Sequence, residues 1–143
     1  MQTIEALDGQ VSFTLEAPAD QPLHEFLTAD RRVQRTRFSG GTTVTANFGP
    51  ESYDLPADQS PTGQALRLPE TGYAVSGAAL VSYRAEIGDG LVEYVETGDR
   101  ACLSSPTRVH DGGAIRAQGT VAVAHGPDGP FVLALEQVGP VLL

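Results

Sequence analysis

Apolar and polar residues alternate one by one along most of this chain, in short runs separated by glycine and proline. VSFTLEA, residues 11–17, sets Val11, Phe13 and Leu15 against Ser12, Thr14 and Glu16. Successive side chains of a strand point to opposite faces, so this alternation predicts a strand buried on one side. RVQRTRF and TTVTANF repeat the pattern on either side of Ser39-Gly40-Gly41, which predicts a hairpin. LVSYRAEI and LVEYVETG do the same around Gly88-Asp89-Gly90, and TVAVA and FVLALEQV around the stretch from His125 to Pro130. Asp111-Gly112-Gly113 and Pro69-Glu70-Thr71-Gly72 supply further turns. Helical spacing is confined to DQPLHEFLTADRRV, where Leu23, Phe26 and Leu27 follow a possible cap at Asp20. That segment predicts at most one short helical turn. GPESYDLPADQSPTG reads as a loop, with Ser52 to Leu55 open to a short edge strand. Turn signals recurring every eight to twelve residues predict an all-β fold: a single antiparallel β-sandwich domain over residues 1–143.

The phase of the alternation also assigns faces. Val44, Ala46 and Phe48 share one side of their strand; Thr43, Thr45 and Asn47 share the other. Hydropathy then places Phe48 in the core, with Phe13, Phe26, Phe38 and Phe131 at similar positions. Asn47 is left to bond backbone at the strand end, and loss of Phe48 is expected to cost more than loss of Asn47. Cys102 sits within the apolar alternation of ACLSS and is expected to be a buried thiol.

Composition narrows the function classes. A chain of 143 residues, 41% hydrophobic and 19% charged, buries enough surface to fold without disulfides or metal. The net charge is −9; there is no lysine, and the nine cationic side chains are all arginine. Phosphate backbones and anionic lipid require clustered cations, so neither nucleic acid nor a membrane surface is an expected partner. No apolar run approaches the length of a membrane-spanning helix. MQTIEALDGQ has neither a basic region nor an apolar stretch, so no signal peptide is expected there. One cysteine allows no intrachain disulfide.

Candidate chemistry is sparse. His24, His110 and His125 form none of the spaced pairs that hold a metal on a strand or helix. Cys102 and His110 are the one nucleophile-and-base combination, known here only by residue type. No serine occupies a nucleophile elbow. Glu93 and Glu96 have an odd spacing, which sends them to opposite faces of a strand, so they cannot flank one glycosidic bond. Asp89, Asp99, Asp111 and Asp128 lie in glycine-containing turns where Asx bonding explains them; a structural Ca²⁺ held between two such loops is the sharper alternative. No catalytic residue, metal ligand or cofactor is assigned. Without tryptophan, sugar stacking would fall to tyrosine. Tyr83 and Tyr94 are the candidate ligand-binding pair, expected to lie close across the Gly88-Asp89-Gly90 hairpin, and cross-strand packing is the simpler role for them.

One longer stretch carries a resemblance. HEFLTADRRVQRTRFSGGTTVTANFG followed by ALRLPETGYAVSG resembles the C-terminal β-sandwich domains that follow the catalytic barrel in many bacterial glycoside hydrolases. The matching positions are Val33, Thr36, Phe38, Gly41, Thr42, Val44, Asn47, Phe48 and Gly49, then Leu68, Pro69, Gly72, Tyr73 and Val75. They fall within residues 26–75. The resemblance implies a non-catalytic accessory domain that presses an apolar sheet face against a neighbouring catalytic domain, or against itself when isolated. It transfers no catalytic residue. An independent glycan- or protein-binding module is the alternative, and a small stand-alone β-barrel enzyme is the third.

Overall fold

The computed structural model describes residues 2–7, 10–15 and 32–143; the first two segments and residues 134, 135 and 137–140 are described by their backbone. The helical turn expected around Leu23 to Leu27 and the side chains of Phe13, Phe26 and His24 lie outside the described residues. The strands are β1 (Gln2–Leu7), β2 (Gln10–Leu15), β3 (Val33–Phe38), β4 (Thr43–Asn47), β5 (Tyr53–Leu55), β6 (Leu66–Leu68), β7 (Tyr73–Gly77), β8 (Leu80–Ile87), β9 (Gly90–Thr97), β10 (Arg100–Asp111), β11 (Arg116–Gly126) and β12 (Gly129–Leu142). A single 3-10 turn, Ala57–Gln59, interrupts them among the described residues. The chain is all-β, as its alternation requires, and β5 is the edge strand left open above.

Hydrogen bonding runs through one sheet in the order β12-β11-β10-β9-β8-β7-β4-β3-β1-β2, not closed into a barrel. Every pairing is antiparallel except β1 with β3. The short β5–β6 hairpin branches off β8 through the opposition of Arg67 and Glu86. The three principal hairpins fall where the turn residues placed them. At the first, Phe38 N–H donates to Thr42 and Gly41 N–H to Phe38.

One face of the sheet is buried. Ala74, Tyr83, Ala85, Val92, Tyr94, Ala101, Leu103, Ala117, Val121 and Val123 stand on it in register, strand after strand. Leu55, Leu66 and Leu68 of the branching hairpin and Ile115 of the β10–β11 connection complete the same core.

β4 corrects the face assignment. The two side-chain sets separate as expected, but the inward set is the polar one: Thr45 and Asn47 are buried, while Phe48 is 63% exposed. Asn47 is satisfied completely. Its Nδ2 donates to the carbonyls of Glu51 (2.7 Å), Leu68 (3.0 Å) and Pro69 (3.1 Å), and its Oδ1 accepts from Gly49 N–H (3.0 Å). Its own backbone N–H donates to Gly72, and its carbonyl accepts from Thr71. The Pro69–Gly72 turn is thereby clasped to the end of β4. Thr71 holds a left-handed φ of 63° there, unusual for a β-branched residue and sustained by that bond. Phe131, also expected inside, lies exposed on β12.

Candidate functional site

β10 builds the most distinctive corner of the molecule. From Arg100 to Ser105 it pairs regularly with β11, and the register then shifts before resuming at His110. The Ser105 hydroxyl closes this bulge by donating to the Arg108 carbonyl at 2.8 Å. Bulges bend a strand and re-aim its side chains. Here residues 107–111 swing across the end of the β8–β9 hairpin. Gly90 permits the crossing, since a Cβ on it would collide with the Thr107 hydroxyl. Gly112 likewise lies flat on the Tyr94 ring, with no room for a side chain.

The crossing brings His110 onto Tyr83. The Tyr83 hydroxyl stands 2.7 Å from His110 Nε2, and the two rings meet edge to face at 5.9 Å. Burial, then the charges of Asp111 and Glu96, hold the Tyr83 hydroxyl well above the usual phenol range, so it stays protonated. The His110 tautomer sets the direction of this bond: the hydroxyl donates to a bare Nε2 or accepts from an Nε2–H. Tyr94 is placed alike: burial and its bond to Glu96 Oε2 (2.6 Å) raise its hydroxyl, which also accepts Ala114 N–H at 3.1 Å.

Beside this cluster opens a cleft of about 920 Å³. Arg67, Glu86, Glu96, Arg108, His110 and Asp111 contribute its polar wall, and Leu66, Val81 and Ile87 its apolar wall. Arg67 is already engaged, with Glu86 at 3.0 Å and Asp54 at 3.6 Å. Such a wall can hydrogen-bond a polar solute; Arg67 and Glu86 are paired with one another, while Glu96, Arg108 and Asp111 are bonded to neutral groups.

The residues singled out from the sequence fall as follows. Tyr83 and Tyr94 are directly opposed across the hairpin with ring centroids 5.5 Å apart. They are 1% and 2% exposed, so neither ring face is open for stacking. Glu93 and Glu96 take opposite faces: Glu93 pairs outside with Arg84 at 3.3 Å, Glu96 turns inward to Tyr94. Asp111 makes the expected Asx bond, accepting Gly113 N–H at 3.0 Å. Among the described residues no three His, Cys, Asp or Glu side chains are grouped to hold a metal ion.

Cys102 is a correction. Ala101 and Leu103 take the inward positions, so the residue between them must face out, and its thiol is exposed. His110 lies on the inward side against Tyr83, so the two do not form a nucleophile–base pair. The thiol is accordingly expected to react with a disulfide reagent in the folded protein nearly as fast as after unfolding. Protection in the native state would place it inside. The His110–Tyr83 contact itself had no local sequence signal, because the two residues meet only through the bulge.

His110 also predicts an acid response. Its burial, and then Arg108, lower its proton affinity below the ordinary histidine value of 6.5, with Asp111 opposing. The folded state therefore binds fewer protons than the unfolded chain. Its contribution to stability is complete above about pH 6.5 and is lost as pH falls below that value. Urea midpoints between pH 7 and 5 should fall more steeply for the wild type than for His110→Gln; parallel profiles would exclude His110 as the source.

Compared with protein-family models, curated proteins and solved structures, the chain matches none.

Proposed function

We propose that this chain is a non-catalytic β-sandwich domain that docks through β12 onto a neighbouring catalytic domain of a bacterial carbohydrate-active enzyme. The observation that carries the reading is the edge of the sheet. Phe131, Val132 and Leu133 follow one another along β12 and are 52%, 45% and 53% exposed. β12 pairs only with β11 among the described residues, so its other edge offers free backbone donors and acceptors beside an apolar surface on both faces. Edge strands of this kind are ordinarily protected by charge or by a covering element. The resemblance over residues 26–75 supplies the class of neighbour. The buried tyrosine pair supports it further, since neither Tyr83 nor Tyr94 offers a ring face to a sugar.

The isolated chain tests this reading. By sedimentation velocity it should self-associate as concentration rises, and Leu133→Lys should restore the monomer. Calorimetry against neutral oligosaccharides at millimolar concentration should show no saturable heat. A chain monomeric at every concentration, or a saturable isotherm for one neutral glycan, would favour the independent binding module instead.

A further inference from the structure

The core-side face of the sheet does not end at the apolar cluster. Beyond Ala74 and Thr45 it continues onto β3, where Arg35 lies opposite Thr45 and Arg37 opposite Thr43, itself opposite Ser76. Directly opposed residues share a face, so both arginines stand on the side the sheet elsewhere reserves for its core. The turn Asp58-Gln59-Ser60 faces them, and the residues enclose a cleft of about 410 Å³.

Both arginines are exposed at the rim of that face. Acidic residues outnumber arginines two to one. Arg67, Arg84 and Arg100 each have a carboxylate partner, and Arg108 and Arg116 stand apart from one another without one among the described residues. Arg35 and Arg37, two residues apart on one face, have none among the described residues, although Asp58 lines the same cleft. Like charges so placed repel one another, and an anion between them removes that cost. A guanidinium offers a planar fork of N–H donors that matches an oxyanion two bonds at a time. The Thr43 and Ser76 hydroxyls line the same wall as further donors, whereas the Ser60 hydroxyl is already engaged with Thr62.

We infer that the Arg35–Arg37 cleft binds the oxyanion group of a small ligand: a phosphate, a sulfate or a carboxylate. Asp58 limits the site to one such group and would reject an extended polyanion, which agrees with the net charge of the chain. This site is separate from β12 and from the His110 cleft, so it stands whether or not the docking reading does.

The test follows the arginine Nε–H resonances of the full chain in a heteronuclear NMR titration at constant ionic strength. Sodium sulfate, inorganic phosphate and glucuronate are the probes, each replacing sodium chloride. Arg35 and Arg37 should shift saturably with at least one probe, with a dissociation constant of about 1 mM. Arg35→Gln or Arg37→Gln should weaken that binding at least tenfold, while Arg116→Gln leaves it unchanged. Saturation by sulfate and phosphate alone would assign a tetrahedral anion; saturation by glucuronate alone would assign a sugar acid. Linear shifts no larger than those in chloride would overturn the inference from the wild-type titration alone. Equal weakening by Arg116→Gln would overturn it as well.

Discussion

Asn47→Ala should be among the most damaging single substitutions in this protein, and its neighbour Phe48→Ala among the mildest. Asn47 occupies four backbone groups through its side chain: the carbonyls of Glu51, Leu68 and Pro69, and the Gly49 N–H. Alanine leaves those groups at a buried position with nothing to replace the amide. One buried group stripped of its partner costs about 1–3 kcal/mol. Several at one site, partly relieved by water, place the loss at about 3 kcal/mol or more, which lowers the melting temperature by roughly 10 °C in a chain of this size. The substitution also frees the turn in which Thr71 holds its left-handed conformation, so the loss of order should reach β7. Phe48 projects into solvent, and its removal should stay within about 0.5 kcal/mol. Thermal melts of the two variants decide the point. Equal losses, or a larger one for Phe48, would mean that β4 presents its other face to the core.

Tyr94→Ala is the second large effect. The ring lies in the core between Tyr83 and Gly112, and truncating a buried aromatic costs about 3–5 kcal/mol. Its hydroxyl adds a separate component, donating to Glu96 and accepting from Ala114. Tyr94→Phe isolates that component and should cost about 1–3 kcal/mol while leaving the packing intact. The difference between the two variants measures the ring alone. In urea unfolding, the alanine variant should lose at least twice as much as the phenylalanine one. Near-equal losses would show that the hydroxyl, and not the ring, anchors the β10–β11 connection to β9. Loss of a ligand in Tyr94→Ala would then report unfolding, which is why the binding tests use arginines and Leu133.

The hairpins were legible because their information is local. Glycine and aspartate at 88–89 or 111–113 meet the backbone demands of a tight turn without help from the rest of the chain, and alternation on either side sets the pairing. The opposition of Tyr83 and Tyr94 follows from the same arithmetic. Face assignment was less secure. In TTVTANF hydropathy favours Phe48 inside, but the partners that make Asn47 a good core residue include Leu68 and Pro69, more than twenty positions away. Cys102 failed for a related reason: a general preference for burial was set against the phase of Ala101 and Leu103, and phase prevailed. The cleft beside His110 was legible only in part: Pro106 in ACLSSPTRVHD marks a break in regular pairing after Ser105, but nothing local says that residues 107–111 then cross the β8–β9 hairpin. The two arginines of β3 were visible as residues, but their common face with the core depended on the pairing of β3 with β4 and of β4 with β7.

The order of the strands also has a temporal consequence. From β7 to β12 each strand pairs with the next one in sequence, so this half assembles by closing short loops. β4 must instead find β7 across the whole of the β5–β6 excursion, and β1 must join β3 in parallel from beyond a long connection. Closing longer loops takes more chain entropy before any contact compensates it. The C-terminal half is therefore expected to fold first, and Asn47, which ties β4 to the turn before β7, sits at the seam where the rest of the sheet is joined to it.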